Sequence, residues 1–176
     1  MGFSVIIPAR YASSRLPAKM LKEINGKSLI EHTYSNAIKS DASRVIIATD
    51  DERIKSVAQG FGAEVCMTKD SHTSGTSRIA ETVSFLNFKD DDVIVNLQGD
   101  EPMMSPIAIN QVASNLVSSG MSVATLCETI NTEDEYFDEN CVKVVYNSRG
   151  RATYFSRAPV PAFRDSQNIH LDLLFR

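Results

Sequence analysis

Phe3-Ser4-Val5-Ile6-Ile7, followed by Pro8-Ala9-Arg10 and the polar turn Tyr11-Ala12-Ser13-Ser14-Arg15-Leu16-Pro17-Ala18-Lys19, decides how this chain is read. The almost wholly apolar run Phe3–Ile7 predicts a strand buried on both faces, as in a parallel sheet covered by helices. In an open α/β sheet, ligands bind outside the carboxyl ends of the strands. A loop at that edge with small residues, free amides and the cations Arg10, Arg15 and Lys19 suits a polyphosphate. The same composition also describes a solvated, charged β–α connection. Neither Gly-x-x-x-x-Gly-Lys-Ser/Thr nor Gly-x-Gly-x-x-Gly occurs, so the two common phosphate loops are absent.

Outward from this stretch, strands and helices alternate. Leu29, Ile30, Tyr34, Ala37 and Ile38 form a helical stripe over Ser28–Ser40, after a turn at Asn25-Gly26. Arg44–Ala48 is a second strand, and Thr49-Asp50-Asp51 caps a helix over Glu52–Gly60 that Gly60 and Gly62 stop. A short third strand is expected at Glu64–Met67, a polar loop at 68–77, and a helix over Ser77–Leu86. Asp92–Leu97 is a fourth apolar strand, closed abruptly by Gln98-Gly99-Asp100-Glu101-Pro102. A helix over 106–119 and strands near Val123–Cys127, Val142–Tyr146 and Ala152–Ser156 follow. This order predicts an α/β fold, a three-layer α/β/α sandwich with a mainly parallel sheet.

The 176 residues suit one domain spanning 1–176, long enough to bury a core without staples. The net charge of −4 gives no electrostatic case for general nucleic-acid or anionic-membrane binding, so any phosphate site must be a local concentration of cations. Cys66 and Cys127 sit in apolar stretches, and with Cys141 they make an odd set, which reads as reduced thiols packed in a cytoplasmic core. His32, His72 and His170 show no zinc spacing. No signal peptide and no membrane-spanning run is expected. Ile169–Arg176 is rich in apolar residues and reads as a chain interrupted within a fold.

Two further loops are expected at the same sheet edge. His72-Thr73-Ser74-Gly75-Thr76-Ser77-Arg78 leads into a helix whose N-terminal amides favour an anion or polar ligand. It can equally be a cap made by Thr76 or Ser77 beside an exposed Arg78. In Gln98-Gly99-Asp100-Glu101-Pro102, a carboxylate directly after a buried strand can bind Mg²⁺, which takes one or two carboxylates plus substrate phosphates. Gln98 both donates and accepts, which suits a sugar or a base edge. Asp100 could also simply cap a turn. His72 and Cys66 carry no separate catalytic case.

The segments Ile6–Pro17, His72–Thr76 and Asn96–Pro102, together with Asn25-Gly26-Lys27, Ala48-Thr49-Asp50 and Tyr154–Ala158, resemble in order and spacing the 3-deoxy-manno-octulosonate cytidylyltransferases, or CMP-KDO synthetases. The likeness spans essentially the whole chain. It implies a Rossmann-like nucleotidyltransferase fold that converts CTP and the acidic sugar KDO into CMP-KDO and pyrophosphate, with Mg²⁺, for lipopolysaccharide synthesis. By the same resemblance Arg10, Ser13 and Lys19 contact the CTP phosphates beside Pro8 and Ala9, and Arg15 lies at the phosphate–sugar junction. Thr73, Ser74 and Arg78 line the nucleotide pocket, Gln98 faces the sugar or cytidine, and Asp100 binds the metal. Arg10, Arg15, Lys19 and Asp100 form the catalytic set, and the family implies a homodimer.

The chain departs from the family at Ala18, where Gly is usual, and at Met20, where Pro is usual. The family also continues beyond the match to Arg176, with a second metal-binding Asp and much of the dimer contact. Readings that stay open are a cytidylyltransferase for a related sugar acid (8-amino-KDO or a sialic acid) and a nucleotide-binding fragment without activity.

Overall fold

The computed structural model describes residues 2–12, 16–163 and 174–176. Strand β1 (Phe3–Ala9) is buried at every position, as its apolar run demands. After a 3₁₀ turn at Lys19–Leu21, the chain makes a hairpin of β2 (Glu23–Ile24) and β3 (Lys27–Ser28). Its turn residues Asn25 and Gly26 have φ of 51° and 77°, the positive pair that a two-residue type I′ connection requires. The sequence supplies the turn signal there, and the structure adds the strand pair around it.

Helix α1 (Leu29–Ala37) follows, then β4 (Arg44–Thr49), α2 (Glu52–Gly60), β5 (Glu64–Met67), α3 (Gly75–Phe85), β6 (Val93–Asn96) and α4 (Pro106–Ser119). Side-chain caps fix the starts of these helices. Ser28 accepts from the Glu31 amide at 3.3 Å, Asp51 from Arg53 at 2.9 Å, and Ser105 from Ile107 at 3.2 Å. Helix α3 begins two residues before its expected start. Ser74, not Thr76 or Ser77, accepts from the Ser77 amide at 3.1 Å. Gly120, at φ 64°, ends α4.

The sheet order is β5-β4-β1-β6, parallel throughout. Alternation along the strands divides the core into two faces. Val5, Ile7, Ile47 and Val95 pack with Ile30 of α1, Ile54 and Ala58 of α2, and Ile109 and Ala113 of α4. Ile6, Ile46, Ala48 and Cys66 pack with Ile79 of α3 on the other face. This is the expected α/β/α layering, with α3 alone supplying the second helical layer in these two clusters.

The described residues group into two compact units, 1–124 and 125–176. The second contains helix α5 (Glu133–Phe137) and an antiparallel pair, β7 (Lys143–Tyr146) and β8 (Ala152–Ser156). Ile130, Tyr136 and Leu174 form its small apolar cluster. The buried Lys143 ammonium donates to the carbonyls of Asp138 and Arg157, each at 2.8 Å.

Two sequence expectations are corrected. Residues 123–127 form no strand, because no ladder among the described residues reaches them, and Val123 stays 81% exposed. With that pairing gone, Cys127 is exposed instead of packed, whereas Cys66 is buried as expected. No helix among the described residues is long and apolar enough to cross a membrane.

Ala18 stands at φ 55°, ψ 29°, a left-handed conformation that L-residues disfavour by about 1–2 kcal/mol. Glycine would remove that strain but add about 0.4–1 kcal/mol of unfolded-state entropy. Ala18→Gly should therefore raise stability by about 0.5–1 kcal/mol, read as a higher urea midpoint at unchanged slope. A lower midpoint would contradict strain at this position.

Candidate active site

Because β1, β4, β5 and β6 run parallel, the loops after Ala9, Thr49, Met67 and Asn96 emerge at one edge of the sheet. Three of them enclose a cleft of about 580 Å³. Pro8, Ala9, Arg10 and Lys19 line it from the first loop, Thr73, Ser74 and Arg78 from the second, and Gln98 and Asp100 from the third. The structure thus brings together the sequence-predicted residues that lie among the described positions. Ser13 and Arg15 lie outside the described residues.

Two glycines permit this convergence. A Cβ on Gly75 would stand 3.1 Å from the Pro8 ring, and one on Gly99 would stand 3.0 Å from both the Pro8 carbonyl and the Met20 sulfur. Met20 is buried and fills the space beside Gly99. The third loop is also held from behind by α1. Thr33 Oγ1 donates to the Gly99 carbonyl at 2.8 Å, and Asn36 Nδ2 donates to the Pro102 carbonyl at 2.5 Å.

The cleft residues differ in how free they are. Arg10, Thr73, Ser74 and Gln98 are exposed. Lys19 Nζ pairs with Asp100 Oδ2 at 2.7 Å, with both side chains about two-fifths exposed (36% and 41%). Next to Asp100, burial and then the Asp100 charge push the Glu101 carboxyl above its ordinary range. Gln98 Nε2 donates to Asn96 Oδ1 at 3.0 Å, and the Gln98 amide lies beside Gly75.

Arg78 is not the exposed arginine of the capping alternative. It is 3% exposed, and its guanidinium donates to Asp50 Oδ2 at 2.8 Å and to Thr68 Oγ1 at 2.5 Å. It therefore ties α3 to the ends of β4 and β5 beneath the cleft. The other Asp50 oxygen, Oδ1, is buried without a hydrogen-bond partner. A further tether holds the first loop, where the Arg53 guanidinium lies 3.4 Å from the Tyr11 ring centroid and is gripped by Asp51 at 2.6 Å. That bond to Arg53 holds the Asp51 carboxyl below its usual range.

His72 likewise differs from the exposed histidine its polar setting suggests. Its Nε2 meets Glu81 Oε2 at 2.5 Å, and the side chains are 16% and 12% exposed. Thr33, Asn36 and Glu81 escape a reading of sequence motifs, and Asp50 enters one only as part of Ala48-Thr49-Asp50, without its partner Arg78. The available signal is weak: Thr33 and Asn36, three apart on α1, share one helix face, as do Arg78 and Glu81 on α3.

A family model described as Cytidylyltransferase matches residues 4–175. Over 176 residues the chain is 60% identical to the 3-deoxy-manno-octulosonate cytidylyltransferase of Ruthia magnifica subsp. Calyptogena magnifica, spanning all of this chain and 72% of that protein. It is 57% identical to the protein of the same name from Vesicomyosocius okutanii subsp. Calyptogena okutanii, again over 100% and 72% of the two chains. Among solved structures, it is similar to a CMP:2-keto-3-deoxy-manno-octonic acid synthetase complexed with CTP. That similarity has a TM-score of 0.88 at 37% identity and covers 99% of this chain and 73% of the other.

Two outcomes test the supports around the cleft. Asp50→Ala strands the buried Arg78 guanidinium and should cost about 3–5 kcal/mol in denaturant unfolding, whereas a loss under about 1 kcal/mol would remove the pair's structural role. The hydrogen bonds from His72 and Lys69 hold the Glu81 carboxyl below its usual value of 4.5. A depressed carboxylate stabilises the fold fully above that value, and the contribution disappears as pH falls through the folded-state value. Glu81→Gln should therefore flatten the acid limb of the stability–pH curve; an unchanged limb would refute the pairing.

Proposed function

The chain belongs to the 3-deoxy-manno-octulosonate cytidylyltransferase family, and from that membership we propose that it transfers the cytidylyl group of CTP to KDO, releasing pyrophosphate. The observation that carries this reading is the single cleft into which three loops deliver Arg10, Lys19, Gln98 and Asp100. The match of one family model across residues 4–175 supports treating the chain as one nucleotidyltransferase domain in function.

In the reaction, the anomeric hydroxyl oxygen of KDO attacks the α-phosphorus of CTP. A new P–O bond forms, the bond to the β-phosphate oxygen breaks, and the hydroxyl proton is lost to solvent. Such a transfer needs position and charge neutralisation more than covalent help from the protein. Arg10 and Lys19 hold the phosphates, and Pro8 and Ala9 provide the buried floor beside them. Ser13 joins these phosphate contacts, and Arg15 sits at the junction with the sugar. Thr73 and Ser74 border the nucleoside, Gln98 orients the sugar or base, and Arg78 shapes the pocket through Asp50 and Thr68.

Asp100 is the residue to hold Mg²⁺. Among the described residues no three metal-ligating side chains cluster. A single carboxylate fits an ion whose other ligands are waters and substrate phosphates. A bound magnesium ion supplies neutralisation of the charge that builds on the α-phosphate and the leaving pyrophosphate. Lys19, partnered with Asp100 in this structure, exchanges that carboxylate for phosphate oxygens. On this reading the partners are CTP, KDO and a second copy of the chain. The compartment is the cytoplasm, in keeping with three unpaired cysteines, and the product serves lipopolysaccharide synthesis.

Pyrophosphate release measured with CTP, Mg²⁺ and a panel of sugar acids tests the proposal. KDO should give the highest kcat/KM. A stronger response to 8-amino-KDO or a sialic acid would reassign the sugar, and CTP binding without release would mark a nucleotide-binding chain only. Asp100→Asn should lower turnover by at least about 10²-fold while leaving the melting temperature within a few degrees. Near-normal Mg²⁺-dependent turnover in that variant would overturn the metal assignment.

A further inference from the structure

One wall of the cleft is the segment His72-Thr73-Ser74-Gly75, which belongs to a loop with no strand ladder of its own. Its start is anchored at Thr68, whose amide and hydroxyl both donate to the Thr49 carbonyl, at 2.8 and 3.1 Å. Beyond that point a side chain from α3 takes over. Glu81 Oε2 accepts the Lys69 amide at 2.9 Å and meets His72 Nε2 at 2.5 Å. A single carboxylate oxygen thus grips both ends of the span from Lys69 to His72, immediately before Thr73 and Ser74.

We propose that Glu81 is a positioning residue for nucleotide binding, holding the 69–72 span so that Thr73 and Ser74 face the cleft. The inference rests on the cytidylyltransferase reading of that cleft. Glu81 does not line the cleft and touches no reacting group; it acts through His72 and the Lys69 backbone. The geometry supports a specific role for two reasons. Both partners are on the cleft-wall loop instead of within α3. The pair is also well shielded, and hydrogen bonds to a carboxylate in such a setting are stronger than neutral ones. Arg78, one turn earlier on α3, reaches Thr68 and Asp50, so one helix face supports the loop from its root to its cleft-side end.

The chemistry separates this role from general stability. A glutamine carbonyl oxygen has two lone pairs and can accept both bonds. Aspartate is one methylene too short to reach them, and alanine has no acceptor. In the intact chain, Glu81→Ala and Glu81→Asp should expose the Lys69 amide to hydrogen exchange without nucleotide present. They should also weaken CTP binding by calorimetry and raise KM for CTP about tenfold, with kcat changed less than about twofold. Glu81→Gln should restore amide protection, affinity and KM to within about threefold of wild type. If wild type binds CTP and Glu81→Ala binds it equally well, this inference fails while the nucleotide reading stands. It fails also if Lys69 protection persists in Glu81→Ala, or if Glu81→Gln folds but binds CTP as poorly as alanine. If wild type binds no CTP, the nucleotide reading falls and takes this inference with it.

Discussion

The arrangement depends on the double confinement of β1. It pairs with a parallel strand on each side, and all seven of its residues are buried. A strand held on two edges and two faces has little freedom in register, because a one-residue slip would exchange its two apolar sets. Its carboxyl end is therefore a fixed point. Pro8 illustrates this: its ring lies against Gly75 and its carbonyl against Gly99, so the end of β1 is the post around which the second and third loops close.

Around this post the molecule uses polar side chains to locate loops that cannot be located by packing. Thr33 and Asn36 of α1 hold backbone carbonyls of the third loop, and Arg78 and Glu81 of α3 hold the second. These are helix residues, so their own positions are set by the two apolar clusters. Rigid elements thus lend their order to segments that must keep exposed polar groups free for a ligand. Charged members of the set carry more risk. A buried pair such as Asp50–Arg78 contributes modestly when intact and costs several times more when broken, because one charge is left without its partner.

Much of this was legible in the chain. Glu64–Met67, Glu52–Gly60 and Ala152–Ser156 have the bounds that their apolar pattern and capping residues indicate, because those signals are local. The cleft residues Arg10, Lys19, Gln98 and Asp100 were legible for a related reason: they follow apolar strands in a parallel order, and topology then brings them together. Residues 123–127 show the opposite case. Their composition is that of a strand, but a strand is a relation between segments, and none of the described segments pairs with them. The same holds for Asp50–Arg78 and His72–Glu81. The partners are 28 and 9 residues apart and no one motif holds both members of either pair as partners, so only the fold reveals that they meet. Ala18 stands out in the chain only as a departure from the resembled family's usual Gly, and the structure gives it a positive φ.

The Lys19–Asp100 contact has a consequence for what the cleft admits. The two charges cancel one another, so neither Lys19 nor Asp100 stands uncompensated toward a stray ion, while Arg10 in the same cleft stays exposed. A single ion that goes to Lys19 or to Asp100 must break the contact and satisfies only half of it. A ligand that presents anionic oxygens and a divalent cation together replaces both halves at once, and each protein charge trades one partner for a stronger one. On the proposed reading, the contact thus favours a metal-bound polyphosphate over either ion alone at these two side chains, and only modestly, because both are partly exposed.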